Sequence, residues 1–94
     1  MRFHLPSALR RWAGNNEIIE MSFPLDSRMT IVEALTMLGR DCPGIRQRVL
    51  DDQGQIRRHV NVFVDGENVR FAQGDATQVT HDSEIRIYPA MSGG

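Results

Sequence analysis

The chain has 94 residues, of which 40% are apolar and 24% are charged. This length predicts one domain with a single hydrophobic core. Twelve acidic residues nearly balance eleven basic residues, all of them arginine, and the formal net charge is −1. A charge so close to zero excludes the strong basic field with which proteins bind nucleic acids or anionic membranes.

Cys42 is the one cysteine in the sequence, so neither an intrachain disulfide nor a four-cysteine zinc site can form. The start of the chain contains no apolar run of signal-peptide length, and no segment approaches the length of a membrane span. We therefore expect a reducing, cytoplasmic location.

The first half of the chain predicts two strands followed by helices. Residues 2–5 and 17–23 alternate polar and apolar side chains and predict the strands. The segment Thr30-Ile31-Val32-Glu33 is a capping box, which predicts a helix start. Apolar residues at helical spacing continue this helix, and Gly39 predicts its end. Ile45 and Val49, four residues apart, predict a short second helix.

The second half of the chain predicts strands. Residues 60–64 alternate around three valines, Asp65-Gly66 is a hairpin turn signal, and residues 67–71 form the predicted return arm. Residues 84–88 predict the last strand, which Pro89 ends because proline has no N–H to donate. One amphipathic helix must then cover one face of a mixed sheet, so the pattern predicts an α+β fold.

Signatures of enzyme catalysis are mostly missing from the sequence. His4, His59 and His81 are far apart, and none has a cysteine or carboxylate at metal-ligand spacing. Cys42 has no accompanying signature of a catalytic thiol. We therefore expect no metal, no bound cofactor and no catalysis by the chain itself.

The sequence given ends with Gly93-Gly94, a few residues beyond the last predicted strand. A terminal glycine carboxylate has no β-carbon beside it, so it can enter a narrow channel and react with ATP without steric hindrance. Adenylation would turn this poor acyl donor into a mixed anhydride that a sulfur nucleophile can attack. The other interpretation of such a terminus is an unstructured tail.

Several segments together resemble the ubiquitin-like prokaryotic sulfur carriers. This family includes the small subunit of molybdopterin synthase, the thiamine-pathway sulfur carrier and a carrier of a cysteine-synthesis route, to which the resemblance is strongest. The segments that carry the resemblance are Leu9-Arg10 with Ala13-Gly14, 30–35, 43–49, 57–70, and 82–90 followed by Gly93-Gly94.

The resemblance implies a ubiquitin-like β-grasp over residues 1–88, with a mixed four- to five-stranded sheet covered by one main helix and a short second helix. Residues 89–94 would form a flexible tail. A ubiquitin-activating-enzyme-like adenylyltransferase would use Mg-ATP to adenylate Gly94, and a sulfur donor would convert the adenylate into a thiocarboxylate. A sulfur-accepting synthase would take the sulfur, and a metalloprotease acting at the tail is a further implied partner.

The same resemblance predicts a docking surface beside the tail. The backbone of Pro89, Ala90, Met91, Ser92 and Gly93 would thread the partner channels as an extended strand. In a β-grasp the strands that contain His4, Phe63, Arg86 and Tyr88 are neighbours, so these side chains would form one exposed patch. The alternative is a solvated sheet face without a partner. For Trp12 we expect packing within the domain, with contact to the tail or a partner as the alternative.

Two other functions use the same features. One is a ubiquitin-like modifier that is conjugated to lysines of target proteins, although the chain itself has no lysine for self-conjugation. The other is a binding module or permanent subunit, such as the small non-catalytic subunit of molybdopterin synthase, because a fold alone does not determine function.

Overall fold

Seven β-strands and three α-helices follow one another along residues 1–89, the part of the chain that the computed structural model describes. In chain order they are β1 (Arg2–His4), α1 (Ser7–Arg10), β2 (Ile18–Glu20), β3 (Met29–Thr30), α2 (Ile31–Asp41), α3 (Pro43–Val49), β4 (Val60–Val64), β5 (Glu67–Asn68), β6 (Gln78–Val79) and β7 (Glu84–Pro89). Two short 3₁₀ helices, Val69–Phe71 and Gly74–Ala76, lie between β5 and β6. None of these helices is long and apolar enough to cross a membrane.

Five of the strands form one mixed sheet in the order β2-β1-β7-β4-β5. β1 and β7 pair in parallel at its centre, and the other neighbouring strands pair antiparallel. β7 thus returns the chain to the middle of the sheet, beside the strand with which the chain begins. This topology, with α2 in the crossover, confirms the predicted α+β, ubiquitin-like β-grasp. β3 and β6 pair with each other as a separate ribbon, which the sequence did not predict because two residues are too few to show alternation.

The core lies between one face of this sheet and the apolar stripe of α2. Alternate strand residues point into it, as the period of two requires. The buried strand residues are Phe3 in β1, Val60, Val62 and Val64 in β4, and Ile85 and Ile87 in β7, and those of α2 include Ile31, Ala34, Leu35 and Leu38.

The predicted capping box at the start of α2 is present. The Thr30 hydroxyl accepts a hydrogen bond from the Glu33 backbone N–H at 3.2 Å, and the Glu33 carboxylate accepts one from the Thr30 backbone N–H at 2.9 Å. The backbone N–H of Thr30, followed by its hydroxyl, holds the pKa of Glu33 below its ordinary value, because both donors favour the ionised form.

The predicted end of α2 at Gly39 is wrong, because the helix continues to Asp41. Cys42 ends α2 and begins α3, and Pro43 occupies the first turn of α3. Gly39 is instead the point where the two helices approach each other closely. A β-carbon at residue 39 would lie 2.7 Å from the β-carbon of Arg46, a separation that folded proteins essentially never show.

The predicted hairpin turn at Asp65-Gly66 is confirmed, with φ angles of 51° and 88° at the two residues. Its predicted return arm over 67–71 is too long, because β5 ends at Asn68. The Asn68 side chain accepts a hydrogen bond from the Arg70 backbone N–H at 2.9 Å. This bond caps the 3₁₀ helix that follows and turns the chain out of the sheet.

Other element boundaries differ from the prediction by a few residues. β2 ends at Glu20 rather than at residue 23, although Met21 and Phe23 keep the predicted alternation and pack against the core. β1 is one residue shorter than predicted, and β7 is one residue longer. The four-residue α1 was not predicted, because Leu9 is its one buried side chain and a single position has no period.

We expect Gly39→Ala to lower the free energy of unfolding by about 1–3 kcal/mol, the usual cost of overpacking. Alanine favours a helix interior by about 1 kcal/mol relative to glycine, but this gain is smaller than the cost of separating α2 from α3. Urea unfolding measures the change. In an Arg46→Gly background the clashing β-carbon is absent, so Gly39→Ala should cost less there. An equal cost in both backgrounds would contradict the close approach.

We expect Glu33→Gln to destabilise the domain at neutral pH and to have a smaller effect in acid. The folded-state pKa of Glu33 is lowered, so its stabilising contribution is present above the ordinary glutamate pKa and is lost as pH falls through the folded-state pKa. Urea unfolding of both proteins between neutral pH and pH about 3 measures the difference. Glu67→Gln, at an exposed residue of β5, is the control for the charge change. A difference that persists unchanged into acid would contradict the role of the ionised carboxylate.

Candidate functional site

The sheet face that points away from α2 carries a cluster of aromatic and charged side chains. Arg86 lies at its centre, since its Cα is paired with that of Phe63 in β4 and with that of His4 in β1. Tyr88, two residues further along β7, points to the same face. The structure therefore places the four predicted residues side by side, and we call His4, Phe63, Arg86 and Tyr88 the β7 patch.

The two aromatic rings of the β7 patch contact each other. Phe63 and Tyr88 pack edge to face, with centroids 5.6 Å apart and an interplanar angle of 83°. This arrangement is favourable beyond the area that it buries. Tyr88 remains 46% exposed, and Arg86 beside it is also exposed, so a large part of the patch is accessible to a partner.

His4 is more covered than an open docking residue would be. Its side chain is 18% exposed, and its Nε2 lies 2.5 Å from Oε1 of Glu84. Glu84 also approaches Arg2 at 3.6 Å, and Arg2 approaches Glu20 at 3.7 Å. The hydrogen bond from His4, and then the charge of Arg2, lower the pKa of Glu84. His4 therefore contributes to the patch mainly by holding a carboxylate at its edge.

Arg2 and Glu84 adjoin the β7 patch, although the sequence did not lead us to predict them there. The alternation of β1 and β7 could have found them, because residues 2 and 84 share parity with His4 and Arg86. Arg70 is a further residue that was not predicted, and it donates to the side-chain oxygen of Asn61 at 2.6 Å and to the backbone oxygen of Arg58. Arg70 thus ties the sheet face to the segment that precedes β4. No local pattern predicts this contact, because it depends on the 3₁₀ turn after β5.

The β7 patch lies along the strand that leads to the predicted tail. Pro89 is the last described residue, and its Cα is paired with that of Val60 at the start of β4. The predicted tail residues Ala90, Met91, Ser92, Gly93 and Gly94 lie outside the described residues.

Trp12 packs within the domain, as predicted. It is half-buried against the core, and its ring occupies the space above Gly44, where an added β-carbon would lie 2.6 Å from a ring carbon. The guanidinium of Arg48 lies 3.7 Å from the ring centroid on the same side of the domain, and that of Arg11 lies at 5.0 Å. Trp12 therefore joins the loop after α1 to α3.

The described residues offer no metal-binding cluster, since no three His, Cys, Asp or Glu side chains within residues 1–89 are grouped suitably. Cys42 is buried between α2 and α3, and burial, followed by the charge of Asp41, raises the pKa of its thiol. A raised pKa keeps the sulfur protonated and therefore poorly nucleophilic.

Comparisons with known proteins agree with this fold. A family model described as the ThiS family matches residues 4–94. Sulfur carrier protein CysO of Mycobacterium tuberculosis is 30% identical over 92 residues, which cover 96% of this chain and 94% of that protein. Small archaeal modifier protein 1 of Haloferax volcanii is 34% identical over 70 residues, which cover 74% of this chain and 76% of that protein. A chain of the crystal structure of the Amycolatopsis orientalis BexX/CysO complex is 27% identical with a TM-score of 0.82, and the match covers 99% of this chain and 98% of that chain. The chain belongs to the ThiS family.

Proposed function

We propose that this protein is a sulfur carrier whose Gly94 carboxylate is converted into a thiocarboxylate. The thiocarboxylate donates sulfur to a biosynthetic pathway, of the cysteine or homocysteine type or for another sulfur metabolite. The observation that carries the proposal is the family match, which includes Gly93-Gly94, on a fold whose last described strand is central in the sheet. The relative named as a sulfur carrier protein supports it.

The chemistry requires two steps at the Gly94 carboxylate, the first at phosphorus and the second at the carbonyl carbon. A Gly94 carboxylate oxygen attacks the α-phosphorus of ATP, and pyrophosphate leaves with Mg²⁺, which gives an acyl adenylate. A sulfur nucleophile at the hydrosulfide level then attacks the carbonyl carbon, and AMP leaves. Because Gly93 and Gly94 have no side chains, the carbonyl can be approached in a narrow channel. The partner enzyme binds the ATP and Mg²⁺, and the carrier itself holds no cofactor.

In this reaction the protein is a cosubstrate of its partners and not an enzyme. The described residues support this role, because the sulfur of Cys42 is buried and its pKa is raised. The sulfur is therefore carried on the carboxylate of Gly94 and not on a thiol of the chain. The charge balance and the single reduced cysteine favour a cytoplasmic location, with neither nucleic acid nor membrane as a partner.

The partners are a ubiquitin-activating-enzyme-like adenylyltransferase, a sulfur-accepting synthase and a metalloprotease that trims the tail. The related Amycolatopsis chain belongs to a BexX/CysO complex, which supports assembly of such carriers with a second protein. We assign the β7 patch to partner docking, since an exposed aromatic residue beside an arginine is typical of interface centres. Pro89, Ala90, Met91, Ser92 and Gly93 would pass from the patch into the partner as an extended strand.

A modifier function is the second candidate, and the relative named small archaeal modifier protein 1 favours it. The two functions share the activated Gly94 and differ in the acceptor, which is a sulfur nucleophile for a carrier and a lysine amine for a modifier. A permanent subunit, such as the small subunit of molybdopterin synthase, would need the docking surface as well.

We expect the protein to gain the mass difference between sulfur and oxygen when it is incubated with its adenylyltransferase, Mg-ATP and sulfide. Intact-protein mass spectrometry measures the gain, and tandem spectra should locate it at Gly94. Deletion of Gly94 should abolish it, because the shortened chain presents a carboxylate at the wrong depth in the active site.

Three results would contradict the carrier proposal. One is modification of the Gly94-deletion variant, which would show that Gly94 is not the residue that is modified. Another is the absence of a thiocarboxylate together with higher-mass conjugates in a cell lysate that disappear when Gly94 is deleted, which would favour the modifier. The third is unchanged activity of the parent pathway after removal of Gly93-Gly94, which would favour a permanent subunit.

We expect Tyr88→Ala to raise the KM of the adenylyltransferase for the carrier by about tenfold, the usual effect of losing an aromatic interface anchor. The variant should stay folded with a loss of about 1–2 kcal/mol, because it loses the edge-to-face contact with Phe63 while much of the Tyr88 side chain is exposed. Phe71→Ala is the matched control, since Phe71 is 84% exposed and lies outside the β7 patch. Equal KM values for both variants would show that the β7 patch is not part of the interface.

A further inference from the structure

A groove of about 410 Å³ opens between α1 and α3, on the side of the sheet opposite the β7 patch. Its floor is apolar and consists of four buried side chains, those of Leu9, Val49, Val60 and Ile87. The volume falls within the range of ligand-binding clefts, and an apolar floor of this kind binds an apolar group.

The rim of this groove is basic. Arg48, Arg57 and His59 line it, and none of its lining residues is acidic. Within residues 1–89 the ion pairs formed by arginine involve Arg2 and Arg10, so neither Arg48 nor Arg57 has a carboxylate of the described chain within 4 Å. The groove therefore combines an apolar floor with positive charge that is not neutralised within the described part of the domain.

The two rim guanidinium groups are held in place by α3 and the loop after α1. Arg48 donates through Nη1 to the backbone oxygen of Gly44 at 3.0 Å and stacks on the ring of Trp12 at 3.7 Å. Arg57 donates through Nε to the backbone oxygen of Gln47 at 2.9 Å. Because each of these bonds uses one N–H, the remaining donors of both groups can bind an anion. Such ordered donors lose less entropy on binding than a free arginine would.

The groove lies beside the exit of the tail. Val60 forms part of its floor and is the Cα partner of Pro89, the last described residue. A protein that binds the chain next to Pro89 therefore lies close to the groove. An inorganic anion would use the rim without the floor, whereas a peptide with an apolar side chain between carboxylates would use both.

From this charge complementarity and position we propose that the groove binds a segment of the adenylyltransferase in which an apolar side chain is flanked by acidic residues. The inference rests on the proposed function. It adds a second contact on the other side of the tail from the β7 patch. The carrier would then be recognised from both sides of the tail.

The test is the affinity of the full chain for its adenylyltransferase, measured by isothermal titration calorimetry over a series of salt concentrations. We expect Arg48→Glu and Arg57→Glu each to weaken binding by about tenfold, because each places like charges in contact. Affinity of the original protein should fall with salt more steeply than that of either variant. Ala8→Trp, at an exposed residue that lines the groove, should weaken binding without a change of charge.

Arg28→Glu is the matched control, because Arg28 is an exposed loop residue outside the groove and the charge change is the same. It should bind within about twofold of the original protein. Since Arg48 and Arg57 also hydrogen-bond to α3, Arg48→Gln and Arg57→Gln are compared as milder variants, and thermal unfolding identifies any variant that has lost its fold.

The outcomes separate the inference from the function on which it rests. Charge-reversal and Ala8→Trp variants that bind normally, while the original protein gains its thiocarboxylate, would overturn the groove contact and leave the carrier function intact. An original protein that neither binds the enzyme nor gains sulfur would overturn both. Self-association of the original protein, measured by analytical ultracentrifugation and lost in the charge-reversal variants, would assign the groove to a second copy and overturn the proposed partner.

Discussion

The parallel pairing of β1 with β7 is the constraint on which the rest of the structure depends. It inserts the last described strand between β1 and β4, so the end of the described chain lies at the centre of the sheet and not at an edge. A parallel neighbour requires a crossover, and α2 lies within that crossover. The central position of β7, the burial of α2 and the separation of the two surfaces beside β7 all follow from this one pairing.

The two faces of β7 have different structural roles, because side chains alternate along a strand. Ile85 and Ile87 complete the core, while Glu84, Arg86 and Tyr88 lie on the outer face. Substitutions on the inner face therefore test the fold, and those on the outer face test recognition. The hydrophobic core holds β7 in place through Ile85 and Ile87, so partner contacts on its outer face need not supply that energy.

Features with a local physical cause could be predicted from the sequence, and features that depend on distant contacts could not. The capping box at Thr30 and the turn at Asp65 depend on near neighbours, and both are present. The prediction that Gly39 ends the helix is wrong, because residue 39 has to be glycine for another reason. It must leave room for Arg46 on the neighbouring helix, and this contact cannot be seen in the local sequence. The groove could not be predicted for the same reason, because its floor and rim come from separate segments of the chain. The β7 patch could be placed because alternation and the family topology together determine which strands are neighbours.

A carrier must be held firmly without hindrance to the short segment that reacts. The described residues separate these requirements, since the sheet and helices supply a rigid body and the reactive carboxylate is assigned to residues beyond it. Aromatic contacts on one side of the exit strand and positive charge on the other differ in chemistry, so a partner must match both to bind tightly. Under the proposed function, the folded domain then sets specificity, while a Gly-Gly segment without side chains is small enough to enter a partner's active site. Because the group proposed to react is the Gly94 carboxylate, a carrier of this kind needs no exposed thiol.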